Sequence, residues 1–345
     1  MPTRNNREKH SVPKQLHDFK TLTWKGAPLD GLKEYLTENI DLISTHPQEE
    51  TSVVQNLLSR RMEVKNDELL LTNGALSAYY IIAKAYHGAR SLIFRPTTNE
   101  VREALCWAEH EVVEGADGKD LSKVDLTDID IVWLQTPNSP DGRSLPRRKI
   151  LALLKAHPDK KFVVDLSMAN YLIEPGIKAS DVEKYPNLIV LSSFSYSYNL
   201  LGLRIGYLVA EATKVAQFAT YALPYSVGTM ALSAIHYVLV HPAVFTIPLR
   251  KWLRESQDLA DLLGRIEGVE VKPSNAPFFT VNLPGDDARE LTEFLLKKHN
   301  ILVGTADDNI DLAANQIRVC PQAKYDTNEL LVTGITEFYS PQSTN

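Results

Sequence analysis

The chain has 345 residues, 44% hydrophobic and 23% charged, enough for one large core or two unequal domains. A net charge of −6, with basic residues scattered among acidic ones, offers no field for nucleic acid. Two distant cysteines, Cys106 and Cys320, and the lack of an apolar leader or of an apolar run of ~18 residues predict a soluble, cytoplasmic protein without disulfide staples or a membrane span.

Residues 1–15, with Arg4, Arg7, Lys9 and Lys14, read as a short mobile tail. A helical pattern near Thr51 to Arg61 leads to a strand, Glu68 to Leu71, then the turn Thr72-Asn73-Gly74 and an apolar helix from Ala75 to Tyr86. The alternation repeats: strand Ser91 to Phe94 and helix Asn99 to Glu109, strand Ile129 to Leu134 and helix Arg147 to Ala156, then strands Lys161 to Asp165, Leu188 to Leu191 and Arg204 to Val209. This pattern predicts an α/β fold whose mostly parallel sheet is covered on both faces. One long helical stretch is expected from about Val227, past Pro242, to Ile266. Strands near Val269 to Val271, Phe278 to Val281, Ile301 to Gly304 and Ile317 to Cys320, with helices Asp287 to Lys298 and Thr327 to Phe338, then predict a smaller α+β unit. The boundary is placed inside the long helix, giving an arm and large domain over 16–245 and a small domain over 246–345.

Asp165 closes the apolar strand Lys161-Phe162-Val163-Val164-Asp165, so its carboxylate sits at the strand's carboxyl end, where open α/β sheets gather ligands. Taken alone, such an Asp is more often a helix cap. The loop Thr136-Pro137-Asn138-Ser139-Pro140-Asp141-Gly142 also follows a strand, and alone it is a Pro/Asn/Gly turn. Gly74 and Ala75 open a helix whose amide end favours an anion. Farther on lie the run Ser193-Phe194-Ser195-Tyr196, then Arg204, then Arg318 in Gln316-Ile317-Arg318-Val319.

In this order and at these intervals, Gly74, Asn138, Asp165, Ser193, Ser195, Arg204 and Arg318 resemble the site residues of fold-type I pyridoxal-phosphate (PLP) enzymes, nearest to the histidinol-phosphate aminotransferase and threonine-phosphate decarboxylase branch. The resemblance covers roughly residues 15 to 340. It implies a phosphate cup from Gly74, Ala75, Ser193, Ser195 and Arg204. It also implies Asp165 and Asn138 on the cofactor ring, Arg318 on a substrate carboxylate, and a cytoplasmic homodimer with the site at the subunit boundary.

The departures from the family pattern gather on the cofactor. Where the family reads Ser-Phe-Ser-Lys, this chain has Tyr196, and a phenol has no nitrogen to condense with the PLP aldehyde. Met168 stands where many relatives have tyrosine, Thr98 takes the place of the stacking aromatic, and His46 occupies what resembles the tyrosine that reaches the partner subunit's phosphate. Binding of PLP or of its aminated form, PMP, is therefore expected to be noncovalent, if the cofactor is used at all. Tyr196, with an ordinary pKa of ~10, suits an acid better than a base.

Three functions remain open. The first is a lysine-independent enzyme on a small amine- or carboxylate-bearing substrate. The second is a catalytically inactive ligand-binding homologue, and the third is a lysine-substituted variant of an ordinary aminotransferase or decarboxylase. The third ranks below the first because Thr98 and His46 also depart. The nine histidines show no paired metal-ligand spacing, no Gly-x-Ser-x-Gly elbow occurs, and Gly202-x-x-x-Gly206 is not a dinucleotide fingerprint.

Overall fold

The computed structural model describes residues 16–340 except 116–120, 122–123, 175, 309 and 323–324; the tail expected over 1–15 lies outside the described residues. The chain opens with a short strand β1 (His17–Asp18) and helices α1 (Asp30–Glu38) and α2 (Gln48–Met62). Strands and helices then alternate: β2 (Leu69–Thr72), α3 (Gly74–Ala85), β3 (Arg90–Phe94), α4 (Asn99–Trp107), β4 (Glu111–Gly115), β5 (Ile131–Gln135), α5 (Arg147–Ala156) and β6 (Lys161–Asp165). Next come β7 (Leu188–Ser193), β8 (Gly206–Val209), α6 (Ala212–Ala219) and α7 (Thr229–Val240). The remainder is α8 (Leu249–Leu263), β9 (Glu270–Val271), β10 (Phe279–Asn282), α9 (Arg289–His299), β11 (Ile301–Leu302), β12 (Gln316–Val319) and α10 (Tyr325–Tyr339).

Seven strands form one sheet in the order β2-β8-β7-β6-β5-β3-β4, in which β8 runs antiparallel to both neighbours and the other pairs are parallel. Its central strands read as continuous apolar runs because helices cover both faces: Phe162, Val163 and Val164 of β6 are all buried. One face packs Val132, Phe162, Val164 and Val190 against α2, α5 and α7, and the other packs Ile131, Trp133, Val163 and Ile189 against α3 and α4. The carboxyl ends of β5, β6 and β7 share one edge, with Gln135 in register with Asp165.

The second unit is a three-stranded sheet, β12-β10-β9, with a core of its own. The start of the chain joins it: β1 pairs in parallel with β11, Phe19 N donates to Leu302 O at 2.7 Å, and Cys320 N donates to Phe19 O at 2.8 Å. A third cluster, including Leu22, Trp24, Met168, Tyr171, Trp252 and Phe278, lies between the two units, with Tyr196 packed on it.

Two expectations are corrected. The single helix from Val227 to Ile266 is two helices, broken after Val240, because Pro242 and Pro248 lack the N–H that continuation needs and their rings crowd the preceding turn. The strand expected from Arg204 begins at Gly206, since Arg204 has φ of 51°, a left-handed conformation outside any strand.

Candidate active site

A cavity of about 310 Å³ opens at the carboxyl edge of the large sheet and is closed on its far side by the second unit. Ala75, Thr98, Asp165, Met168, Ser193, Ser195, Tyr196, Arg204 and Arg318 all line it. Three expected residues do not: Asn138, His46 and Gly74, the last of which lies behind the lining against Arg204. Asn138 is buried, but its Nδ2 donates to Pro96 O at 2.9 Å and to Asp141 Oδ1 at 2.7 Å, and it faces a small void beside Arg143. His46 is exposed and sits edge-on to Tyr225, with ring centroids 4.0 Å apart.

At the anion end, β7 delivers Ser193 and, just past its end, Ser195, and β8 returns beside it with Gly206 opposite Ser193. The approach is close: a Cβ on Gly206 would lie 2.6 Å from Ser192 O and 2.9 Å from Ala75 N. Gly74, at φ of 78°, turns β2 into α3 and lies against the Arg204 guanidinium, where a Cβ would sit 2.8 Å from Nη2. Arg204 Nη1 in turn donates to Ser195 Oγ at 3.5 Å and Leu201 O at 3.3 Å. Helix-start amides, two hydroxyls and a guanidinium thus converge on one spot, a donor set suited to a phosphate.

On the sheet edge, Asp165 Oδ2 accepts from Tyr79 Oη at 2.6 Å and from Gln135 Nε2 at 3.2 Å, and Oδ1 accepts from Ser167 N at 2.7 Å. Burial raises the Asp165 carboxyl above its ordinary value even against these hydrogen bonds, and burial beside Asp165 pushes the Tyr79 phenol well up. The Tyr196 phenol is pushed up to about 12, first by burial and then by the negative charges of Glu100 and Asp165, against the pull of Arg318 and Arg204. It therefore stays protonated near neutrality, able to donate a hydrogen bond and unsuited to taking a proton.

Arg318 forms the opposite wall. Its Nη1 donates to Ser139 Oγ at 3.0 Å and its Nη2 to Lys20 O at 2.9 Å, while Nε is buried without a partner. Burial lowers this guanidinium from its ordinary value, and its direct partners are neutral oxygens, so it is set to receive an anion. Lys20 also lines the cavity, with its ammonium engaged by Asp308.

Tyr79, Gln135, Ser139, Lys20 and Glu100 are site residues that the sequence reading did not single out. Tyr79 had a signal, since it lies four residues after Ala75 and so on the same helix face, and Gln135 ends the strand beside that of Asp165. For Glu100 the sequence carries no signal.

Residues 27–333 match the family described as Aminotransferase class I and II. Histidinol-phosphate aminotransferase 1 of Bacillus cereus is 26% identical over 324 residues, covering 86% of this chain and 82% of the relative. Among solved structures, L-threonine-O-3-phosphate decarboxylase from Porphyromonas gingivalis superposes with a TM-score of 0.91 at 36% identity, covering 94% of this chain and 99% of that one. Histidinol-phosphate aminotransferase from Sinorhizobium meliloti, in complex with pyridoxal-5'-phosphate, shares the fold at 17% identity with a TM-score of 0.81, over 93% of this chain and 90% of that one.

Proposed function

Because this chain belongs to the class I and II aminotransferase family and carries its fold-type I architecture, we propose that the cavity binds PLP or PMP noncovalently and acts on a small carboxylate-bearing substrate without a lysine. The observation that carries this reading is one cavity holding both the phosphate-suited cup and the Tyr196 phenol. The donor set fits the cofactor's outline. The cup matches a phosphate, and Asp165 Oδ1, with a single donor, has capacity left for a ring nitrogen. Nothing stacks at Thr98, and Tyr196 offers no amine, so the fit is noncovalent.

When bound, the cofactor supplies an electron sink for chemistry at the substrate carbon. In this proposal the chain's own residues divide the remaining work. Arg318 receives the substrate carboxylate, with Ser139 and the Lys20 carbonyl fixing its plane. Tyr196 donates a hydrogen bond into the cavity. The proposed assembly is a homodimer whose cavity lies near the subunit boundary, consistent with the exposed Leu76 and Leu201 at the rim.

Titration of the purified protein with PLP and PMP by calorimetry tests binding, and no heat from either ligand overturns the reading. Tyr196→Lys tests the place of the phenol: an amine there should give a PLP adduct that borohydride makes permanent. Peptide mapping should find it at position 196 rather than at Lys20. A folded variant with no adduct would mean that position 196 does not face a bound cofactor aldehyde.

A further inference from the structure

A second cavity, of about 430 Å³, adjoins the one described above. The first is lined from α3 by Ala75, Leu76 and Tyr79, whereas this one is lined from α2 by Leu58 and Arg61 and from α7 by Leu239. The two are therefore walled from opposite faces of the large sheet. Ser167 and Ser193 line both, no other residue is shared, and the Ser167 Oγ is buried without a partner.

Phe194, Tyr198 and Tyr207 give the second cavity an aromatic wall: the Phe194 ring centroid lies 5.7 Å from that of Tyr198 and 5.8 Å from that of Tyr207. Leu58, Met62, Leu166 and Leu239 add apolar surface. Its charged residues, all exposed, are two cations, Arg61 and Lys178, against one carboxylate, Glu63, and Arg61 forms no ion pair among the described residues. The Arg61 charge is felt by both phenols. Burial raises both of them above the ordinary value, Tyr207 to about 12, so near neutrality each is a hydrogen-bond donor. Tyr207 is hydrogen-bonded to Ser192, whereas the Tyr198 hydroxyl has no partner among the described residues.

We propose that this second cavity is a binding site for a small aromatic carboxylate. Aromatic side chains favour another ring set offset or edge-on to them, which the wall of Phe194, Tyr198 and Tyr207 offers. The planar fork of a guanidinium matches the two oxygens of a carboxylate, and Arg61 has no carboxylate of its own to occupy it. The free Tyr198 hydroxyl is a second donor to the same group. Binding involves no covalent step, and it stands independently of any reading of the first cavity.

A ligand-observed NMR titration of the whole protein with benzoate, benzamide and acetate tests this. Benzamide keeps the ring without the charge, and acetate keeps the charge without the ring. Benzoate should bind about fivefold or more tightly than either. Arg61→Glu, an exposed change in the last turn of α2, should weaken benzoate about tenfold by replacing attraction with repulsion, and Leu239→Trp should abolish binding by filling the cavity from α7. The comparison of the three probes needs no variant and decides by itself if either substitution proves unstable. No benzoate binding overturns the site, and equal binding of benzamide or acetate overturns the ligand class. Benzoate affinity that survives Arg61→Glu or Leu239→Trp in a folded protein places the ligand elsewhere and overturns the site as well.

Discussion

Arg204 holds a left-handed backbone at φ of 51°, a conformation costly for a residue with a Cβ, and that turn is what lays its guanidinium under Gly74 and beside Ser195. If the cup is a phosphate site, Arg204→Ala should weaken PLP or inorganic phosphate binding roughly tenfold or more, the equivalent of ~1.5–3 kcal/mol for a lost charge-assisted contact. Unchanged affinity by calorimetry would remove Arg204 from the cup. Tyr196 carries a second expectation, about pH. Below its ordinary value of 10 the phenol is protonated in both folded and unfolded chains. Above that value the unfolded chain ionises first, because the folded phenol is held up to about 12. Its contribution to stability is therefore complete below pH 10 and is lost as pH rises through about 12. Tyr207, also raised to about 12 by burial, acts in the same direction. Thermal melts of Tyr196→Phe across that range should show a shallower alkaline decline than the unsubstituted protein; an identical slope would mean that the phenol ionises as freely folded as unfolded.

Between β2, α3 and β8 there is no room for a side chain at Gly206, where a Cβ would meet Ser192 O at 2.6 Å, Gly74 C at 2.8 Å and Ala75 N at 2.9 Å. All three are backbone atoms, which cannot rotate away. Gly206→Ala should therefore cost about 1–3 kcal/mol in denaturant unfolding by overpacking, and it should widen the cup and weaken anion binding with it. A variant as stable as the parent would show that β8 can slide. The large sheet was legible in the sequence wherever elements are buried on both sides: α5 and β6 have their expected bounds, because helical periodicity and an unbroken apolar run are local signals. The edge strand β4 was not anticipated; its Val112 and Val113 are only half-buried, and exposed Glu111 and Glu114 flank them. Ala75, Ser193, Ser195 and Arg204, proposed for the cup, were legible as neighbours because they follow strand ends on one edge of the sheet. Tyr79 meets Asp165 across 86 residues of chain, a pairing that only the register of the sheet creates. Asn138, in a loop that reads like a cofactor contact, instead spends its amide on Pro96 and Asp141.

At the scale of the whole molecule, Ile40, Ile43, Tyr221, Leu223 and Tyr225 are exposed, Leu223 to 78%, and His46 packs edge-on to Tyr225. Large apolar side chains left exposed in this way suit association of two copies, in keeping with the proposed homodimer. Light scattering at micromolar concentration should return twice the chain mass of 38.7 kDa, and a value near one chain mass would count against the dimer. The cavity is also built from both ends of the polypeptide: Lys20 and Thr21 line it from the beginning of the described chain, and Arg318, which donates to Lys20 O, lies 298 residues away. Their meeting depends on β1 pairing with β11, a strand that the ribosome delivers only after the entire seven-stranded sheet. Closing so long a loop is entropically costly and comes late when contacts of high sequence separation set the pace. A nascent chain could thus hold a finished sheet, with Ser193, Ser195 and Arg204 already in place, while the wall bearing Arg318 was still missing, so that on the proposed reading the anion seat would exist during synthesis before its opposite wall did.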